Sequence, residues 1–586
     1  MLTQQKNIIF ILQNNLIHLF PVMKEKNKKI FIKILLLAAV FSLITSVVNL
    51  VLTVGIKTKF EKDMIAGVTK ATNGLYALKI GDIEVSMLQK SILLKDISFD
   101  VAEERLNSLV KKDSLPRYYG SLQVKELHFN GLGINYRKSI RKRKLSLDKV
   151  KIVQPELTII DTGNNRPGTK SVNSPYDMIS PYLGELLISS IELTDGELHY
   201  KEENKKNTTS LSIFNLRCEA EKFKIDSVSR KKARALYSEI FTLSADSSRM
   251  YFPDKVYTLS TGKLTVSGAD SLIQISDIDY SSTVPKWKSA YLHPNHADWM
   301  DVKVGEILLK GIDSEKYMNN KTVLADSVLI SGVYFKSCKN KNIQVTPKKT
   351  PLIYESVQKF PVPFFISYLK ASDFNVEYEE LDKNGSVPGF INFTRMEGIF
   401  PEGITNIVKS PEQMNKLTVN GKLMNEGMIN AELYLPVDSA YDYVHIKGSL
   451  GTMNMIPLNR IIEPLAPVRI EDGFIQGMNF DITGGREKAE IKMCLRYNDL
   501  SINILNSQKE KQRSDNIFLS FIANTAIPHN NPSEGKAIRC VEAEQERDPY
   551  RSSFNYLWKI YFAGVKETIG FSKAKQQRLE WIKKIL

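Results

Sequence analysis

The run from Ile30 to Ile56, IFIKILLLAAVFSLITSVVNLVLTVGI, carries one charge, Lys33, near its start. About 20 apolar residues at a rise of about 1.5 Å each cross the hydrocarbon core of a bilayer, and this run exceeds that length. A cleavable signal peptide has a shorter apolar stretch and a small-residue cleavage site, and Thr53-Val54-Gly55 makes a poor one. An uncleaved transmembrane helix is therefore predicted over residues 30–56. Lys24, Lys26, Lys28, Lys29 and Lys33 precede or open it, against Lys57, Lys59 and Lys62 after it. The positive-inside rule then leaves a basic tail, residues 1–29, in the cytoplasm and exports the rest. Met23 opens the segment MKEKNKK, so residues 1–22 read as an upstream extension.

About 530 residues follow the apolar run, enough for several domains or one elongated one. The chain holds 80 Lys and Arg against 65 Asp and Glu, a net charge of +15, with part of the excess in RKSIRKRK at Arg137–Lys144. Such a run suits nucleic acid or anionic headgroups, but its plainer reading is a solvated loop between strands. For an exported chain no nucleic-acid partner is expected. Cys218, Cys338, Cys494 and Cys540 lie far apart with no C-x-x-C, and are expected to be isolated buried thiols. There is no P-loop, H-E-x-x-H, G-x-S-x-G or dinucleotide fingerprint. His293, His296 and Asp298 fall within six residues, but Pro294 and Asn295 mark a loop and no further ligand is nearby. No metal, cofactor or enzymatic activity is expected.

After the anchor the dominant pattern is the alternation of half-buried strands. One unit recurs, with apolar residues at offsets 0, +3, +5, +10 and +12. It runs through Val124, Leu127, Phe129, Ile134 and Tyr136, and again through Leu147, Val150, Ile152, Leu157 and Ile159. It returns at Ile188, Ile191, Leu193, Leu198 and Tyr200, and at Ile366, Leu369, Ala371, Val376 and Tyr378. Incomplete copies begin at Leu94, Val304 and Ala325. The apolar positions alone would recur by chance about seven times in this chain, and the interleaved polar ones lower that to about half an occurrence. Between the two apolar halves lie Asn130-Gly131, Gln154-Pro155, Thr194-Asp195-Gly196 and Ser372-Asp373. Each unit thus reads as a short strand, a kink and another short strand. One face is apolar and needs cover. A closed two-layer sandwich and a long curled groove covered by acyl chains both satisfy that demand, and periodicity does not choose between them.

The segments KTKFEKDMIAGVTKATNGLYALKIGDIEVSMLQKSILLKDISFD, LSLDKVKIVQPELTIID (Leu145–Asp161) and GSLGTMNMIPLNRIIEPLAPVRIEDGFIQGMNFDITGG (Gly448–Gly485) resemble parts of AsmA-like proteins. The resemblance covers about a third of the chain, by pattern rather than by one diagnostic motif. It implies a single-pass inner-membrane protein with a periplasmic β-groove, related to bridge-like lipid-transfer proteins, that moves or maintains phospholipids between the inner and outer membranes. The expected fold class is mainly β: a transmembrane helix, an elongated curled antiparallel β-sheet forming a β-groove, and a C-terminal amphipathic helix. The expected divisions are 57–165 and 365–545 as AsmA-like regions, 166–364 as central strands and 546–586 as a helical tail.

The groove candidates for phospholipid acyl chains are Val124, Leu127, Phe129, Leu147, Val150, Ile152, Leu157, Ile159, Ile188, Ile191, Leu193, Leu198, Ile366, Leu369 and Val376. In the tail, Phe554, Leu557, Trp558, Tyr561, Phe562 and Val565 fall on one helical face, followed by Lys573, Lys575, Arg578, Lys583 and Lys584. That face suits capping of an open sheet edge, or a membrane interface or partner groove. An outer-membrane or envelope protein is a further expected partner. The alternative to lipid handling is a structural, scaffolding β-domain with the same side chains packed in a dry core.

Overall fold

The computed structural model describes residue 62, residues 64–69 and, with interruptions, 72–570. Residues 1–61, 132–143, 164–175, 506–526 and 571–586, with several shorter stretches, lie outside the described residues. The transmembrane run, the RKSIRKRK loop except Lys144, both histidines of the His293–Asp298 cluster, and Ile134 and Tyr136 all fall there. Among the described residues no helix is long and apolar enough to cross a membrane.

The protein is mainly β. In chain order come β1 (Tyr76–Ser86), β2 (Ser91–Val101), helix α1 (Glu103–Lys111), β3 (Tyr118–Asn130), β4 (Lys144–Asp161), β5 (Glu185–Glu203), β6 (Thr208–Ile225), β7 (Ile240–Ala245), β8 (Ser247–Tyr251), β9 (Tyr257–Thr261), β10 (Leu264–Ser267) and β11 (Leu272–Ser282). Next are β12 (Asp298–Lys310), α2 (Ser314–Asn320), β13 (Val323–Asn340), α3 (Ile353–Gln358), β14 (Phe364–Leu381), β15 (Gly389–Phe400), β16 (Ile404–Thr405), β17 (Met414–Leu423) and β18 (Gly427–Pro436). The chain closes with β19 (Val444–Leu450), β20 (Met453–Asn454), α4 (Asn459–Leu465), β21 (Val468–Gly484), β22 (Lys488–Ile504), β23 (Cys540–Glu546) and α5 (Ser553–Thr568). Two compact units result: Met23–Asp279 with Leu308–Leu324, and Tyr280–Ile307 with Ala325–Leu586.

In the first unit β1, β2, β3 and β4 pair antiparallel in sequence order. β4 and β5 then pair parallel, which departs from the all-antiparallel expectation. From Lys144 beside Glu185 to Asp161 beside Glu202, each paired residue of β4 faces the one 41 positions later. This register sets the two complete sequence units side by side, position for position: Leu147 by Ile188, Val150 by Ile191, Ile152 by Leu193, Leu157 by Leu198 and Ile159 by Tyr200. The repeat in the sequence is therefore a repeat in the sheet. β6 pairs with β5 along its length and with β7 and β8 on its other side.

The expected kinks are real, but each unit of β4, β5 and β14 is one long strand and not two short ones. Gln154, Asp195 and Asp373 sit in mid-strand with φ of 49°, 54° and 52°. An inserted residue of this kind shifts the side-chain alternation by one. Ile152 and Leu157 are five apart and would face opposite sides of a regular strand, yet the inserted residue returns both to one face. In the first unit these residues form a line across neighbouring strands, through Asp96 of β2, Gln154, Asp195 and Asn215 of β6. At Asp246, between β7 and β8, the line is held by Arg217, whose guanidinium donates to both carboxylate oxygens at 2.7 and 2.6 Å. Asp and Asn tolerate the left-handed region because their short polar side chains bond locally.

In the second unit β16, β14, β15, β17, β18, β19, β21, β22 and β23 pair antiparallel in that order. The proline-rich interruption around Lys348–Pro363 contains α3, whose Tyr354, Ser356 and Val357 are buried. Cys494 and Cys540 stand opposite each other on β22 and β23 and form a disulfide, which corrects the expectation of four isolated thiols. Their separation of 46 residues hid a pairing that only the strand register creates. Cys218 is a half-buried thiol and Cys338 a buried one. Burial pushes the Cys218 thiol up to about 11. The chain unfolded without reductant is therefore expected to yield two reactive thiols in a thiol titration. Four would contradict the bridge. Reduction is expected to lower stability by about 2–4 kcal/mol, read from the urea midpoint.

Candidate functional site: the apolar rows and the C-terminal helix

Strand register aligns the apolar residues of the first unit into rows perpendicular to the strands. One row passes through Ile83, Leu94, Leu127, Ile152, Leu193 and Cys218. It continues through Leu243, Val266 and Ile273 on β7, β10 and β11. Nine strands at about 4.8 Å spacing give this row a length of about 38 Å. A second row joins Phe129, Val150, Ile191 and Ala220, and a third, beyond the line of bends, Leu122, Leu157, Leu198 and Ile213. The opposite face is charged: Glu192 accepts from Lys149 at 2.5 Å and Lys151 at 3.2 Å, and these lysines hold its carboxyl below the usual range. Such exposed pairs add little stability. They do identify the wet face.

Burial changes along the rows. Val124, Leu127, Phe129, Leu147, Val150, Leu157, Ile159 and Ile188 are buried in one packed cluster that also contains Leu94, Met64, Val68 and Leu183. Ile152, Leu193, Cys218, Leu243, Val266 and Ile273 are only half-buried, as are Ile191 and Leu198. Met64, Val68 and Leu183, from outside the strands, thus join this packing, Ile152, Ile191 and Leu198 lie against it, and the row from Ile152 on β4 to Ile273 on β11 is half-buried. In the second unit the β14 candidates divide the same way: Val376 is buried, whereas Ile366 and Leu369 are half-buried.

Helix α5 forms where the tail pattern placed it, capped by the Ser552 hydroxyl, which accepts from the Asn555 N–H at 3.0 Å. It packs on β22 and β23. The docking face is rotated from the expected one. Ser553, Ile560, Gly564 and Thr568 are its buried residues. Tyr561 stands edge-on to Phe480 of β21 at 4.8 Å, and Phe554 meets Tyr378 at 5.9 Å. A methyl group on Gly564 would lie 3.0 Å from Met493 Cε, so glycine there permits the close approach to β22. Leu557 and Val565 are half-buried, while Trp558 and Phe562, 43% and 38% exposed, stack on each other outside. The Lys566 ammonium lies 5.1 Å from the Phe562 ring, and burial pulls its affinity for a proton below the ordinary lysine value. The small residues of the docking face carried no hydrophobic signal in the sequence, although Gly564 and Thr568 at a four-residue spacing mark a line of close contact.

A polar clamp joins α3 to the strands beneath α5. Tyr354 Oη donates to Asp442 at 2.7 Å, Arg486 Nε donates to Glu355 at 3.2 Å, and the Arg486 N–H donates to Asp442 at 3.0 Å. Burial alone would raise the Glu355 carboxyl, but the Leu352 N–H and Arg486 outweigh it and hold it below the usual range. A carboxyl depressed in the folded state contributes its full stability above its unfolded pKa, about 4.3, and loses it as pH falls through the folded value. Glu355→Gln is therefore expected to cost about 1–3 kcal/mol at pH 7 and less at pH 3, read from urea midpoints against pH. Equal losses at both pH values would contradict the clamp.

Among the described residues there is no group of three metal-ligating side chains. No family model matches this chain, and no curated protein matches it.

Proposed function

We propose that this protein is anchored in the inner membrane by residues 30–56, with its N-terminus in the cytoplasm, and handles phospholipids in the periplasm, moving or maintaining them between the two membranes. Acyl chains lie along the apolar rows and headgroups stay in water. The observation that carries this reading is the half-buried stretch of the long row, from Ile152 through Leu193 to Ile273. An acyl chain in water costs about 0.8 kcal/mol per methylene, and an unbroken apolar track removes that cost along its length. The path requires no acid, base or nucleophile. The disulfide between Cys494 and Cys540 fits an oxidising compartment such as the periplasm. The AsmA-like resemblance supports the same reading. The packed Leu94–Leu127 end favours a scaffolding role for that part of the sheet alone.

The test is transfer of a fluorescent phospholipid from donor vesicles, carrying the full chain by its anchor, to acceptor vesicles. Wild type is expected to accelerate transfer and Leu193→Glu to return it to the protein-free rate. No acceleration by wild type, or equal acceleration by the variant, would overturn the reading.

A further inference from the structure

The hairpin of β1 and β2 ends in a tight tip. Ser86 and Ser91 face each other across it, and the Gln89 N–H donates to Ser86 Oγ at 3.2 Å. Lys90 closes the turn in the left-handed region, with φ of 52°. The Gly131 N–H donates to the Lys90 carbonyl at 3.1 Å, which ties the tip to the end of β3. On this tip Leu88 is 94% exposed, and among the described residues no large apolar side chain is more exposed. Val85, Gln89 and Lys90 beside it are exposed as well. A lone surface leucine is ordinary. What sets Leu88 apart is the chemistry that the topology gathers around it.

Ser91 stands opposite Asn130, the last residue of β3, so the connection from β3 to β4 leaves beside the tip. It returns at Lys144, which is exposed. Between these ends the sequence carries Arg137, Lys138, Arg141, Lys142 and Arg143, and no Asp or Glu. Two nearby acids are already paired, Glu84 with Lys95 at 2.5 Å and Glu185 with Lys144 at 3.3 Å. Basic clusters draw a chain to anionic headgroups, and an apolar side chain among them enters the interface. A soluble polyanion would satisfy the cations and leave Leu88 in water, whereas a bilayer satisfies both. β1 and β2 are also the first strands after the apolar run 30–56, with only residues 57–75 between that run and β1.

We propose that the β1–β2 tip docks on the anionic phospholipid surface of the bilayer that holds the chain's own anchor, with Leu88 entering the headgroup layer. The inference rests on the anchor proposed above and does not depend on transfer along the apolar rows. A tryptophan placed at the tip tests it, as Leu88→Trp or, separately, as Gln89→Trp, in the full chain reconstituted into vesicles with brominated acyl chains. Bromine quenches tryptophan only at short range, and the signal of the wild-type chain with its four tryptophans is subtracted. Both reporters are expected to be quenched in mixed phosphatidylglycerol and phosphatidylcholine. They are expected to lose that quenching in phosphatidylcholine alone, and at high salt, where screening removes the attraction. In the Gln89→Trp chain, Leu88→Asp is expected to remove it.

Circular dichroism checks the fold of each variant, and two exposed reporter positions are used so that one misfolded chain does not decide the result. Flotation of the chain with the vesicles is read first. A chain that floats with neither composition lacks the anchor, and the inference falls with it. A floating chain whose tip is unquenched, or quenched equally in both compositions, overturns the inference and leaves the anchor standing. Unchanged quenching after Leu88→Asp overturns it as well. So does quenching that appears only when separate brominated vesicles are added, since the tip then faces another bilayer.

Discussion

Leu127→Glu is expected to unfold the first unit, whereas Leu193→Glu, two strands away on the same row, is expected to leave it folded. Leu127 is 3% exposed and packs with Leu94, Phe129 and Met64, so a carboxylate there has neither water nor a partner. A charge buried that way costs on the order of 4 kcal/mol or more, a large share of the 5–15 kcal/mol that holds a typical domain together. Leu193 is half-buried, and a glutamate can turn its carboxylate toward solvent there. Circular dichroism and limited proteolysis separate the two outcomes. If Leu193→Glu unfolds the unit as completely as Leu127→Glu, the row is dry along its length and the scaffold reading replaces the lipid one.

Ile560→Asp is expected to release α5 from the sheet, at a cost of about 3–5 kcal/mol, while Trp558→Ala is expected to change stability by less than about 0.5 kcal/mol. Ile560 is 1% exposed against the sheet, and Trp558 is 43% exposed. Release uncovers the sheet beneath α5 and the connection between β23 and α5. Trypsin is then expected to cut after Arg547 or Arg551 in the Ile560→Asp chain and to spare wild type. Equal sensitivity of the two variants would mean that the docking and outward faces of α5 are assigned the wrong way round.

These contrasts mark what was legible in the sequence. The alternation and the recurrent offsets identified strands and even the sites of their bends, because a five-residue gap between apolar positions needs an inserted residue. They could not tell that Gln154 and Asp195 bend continuous strands, since a left-handed residue within a strand and a turn between two strands draw on the same residue types. The parallel pairing of β4 with β5 was written in the near-identity of the units at Leu147 and Ile188, but offsets along a chain carry no direction across a sheet. The burial gradient was hidden for another reason. Met64, Val68 and Leu183 join the cluster that buries Leu127 from distant points in the sequence, and Leu127 and Leu193 look alike until that cluster forms. For α5, large aromatics dominated the helical pattern, and contact with β22 is made by the flank where Gly564 allows it. Cys494 and Cys540 showed the same dependence on register.

The most direct test of the central claim is the phospholipid content of the full chain extracted from its native membrane into amphipol, measured by mass spectrometry against Leu193→Glu extracted in the same way. Lipid around the proposed anchor would be common to both proteins, so the difference isolates lipid bound along the rows. The account predicts several phospholipids more per chain in wild type than in the variant. Equal lipid content in two folded proteins would contradict it and leave a closed β-domain.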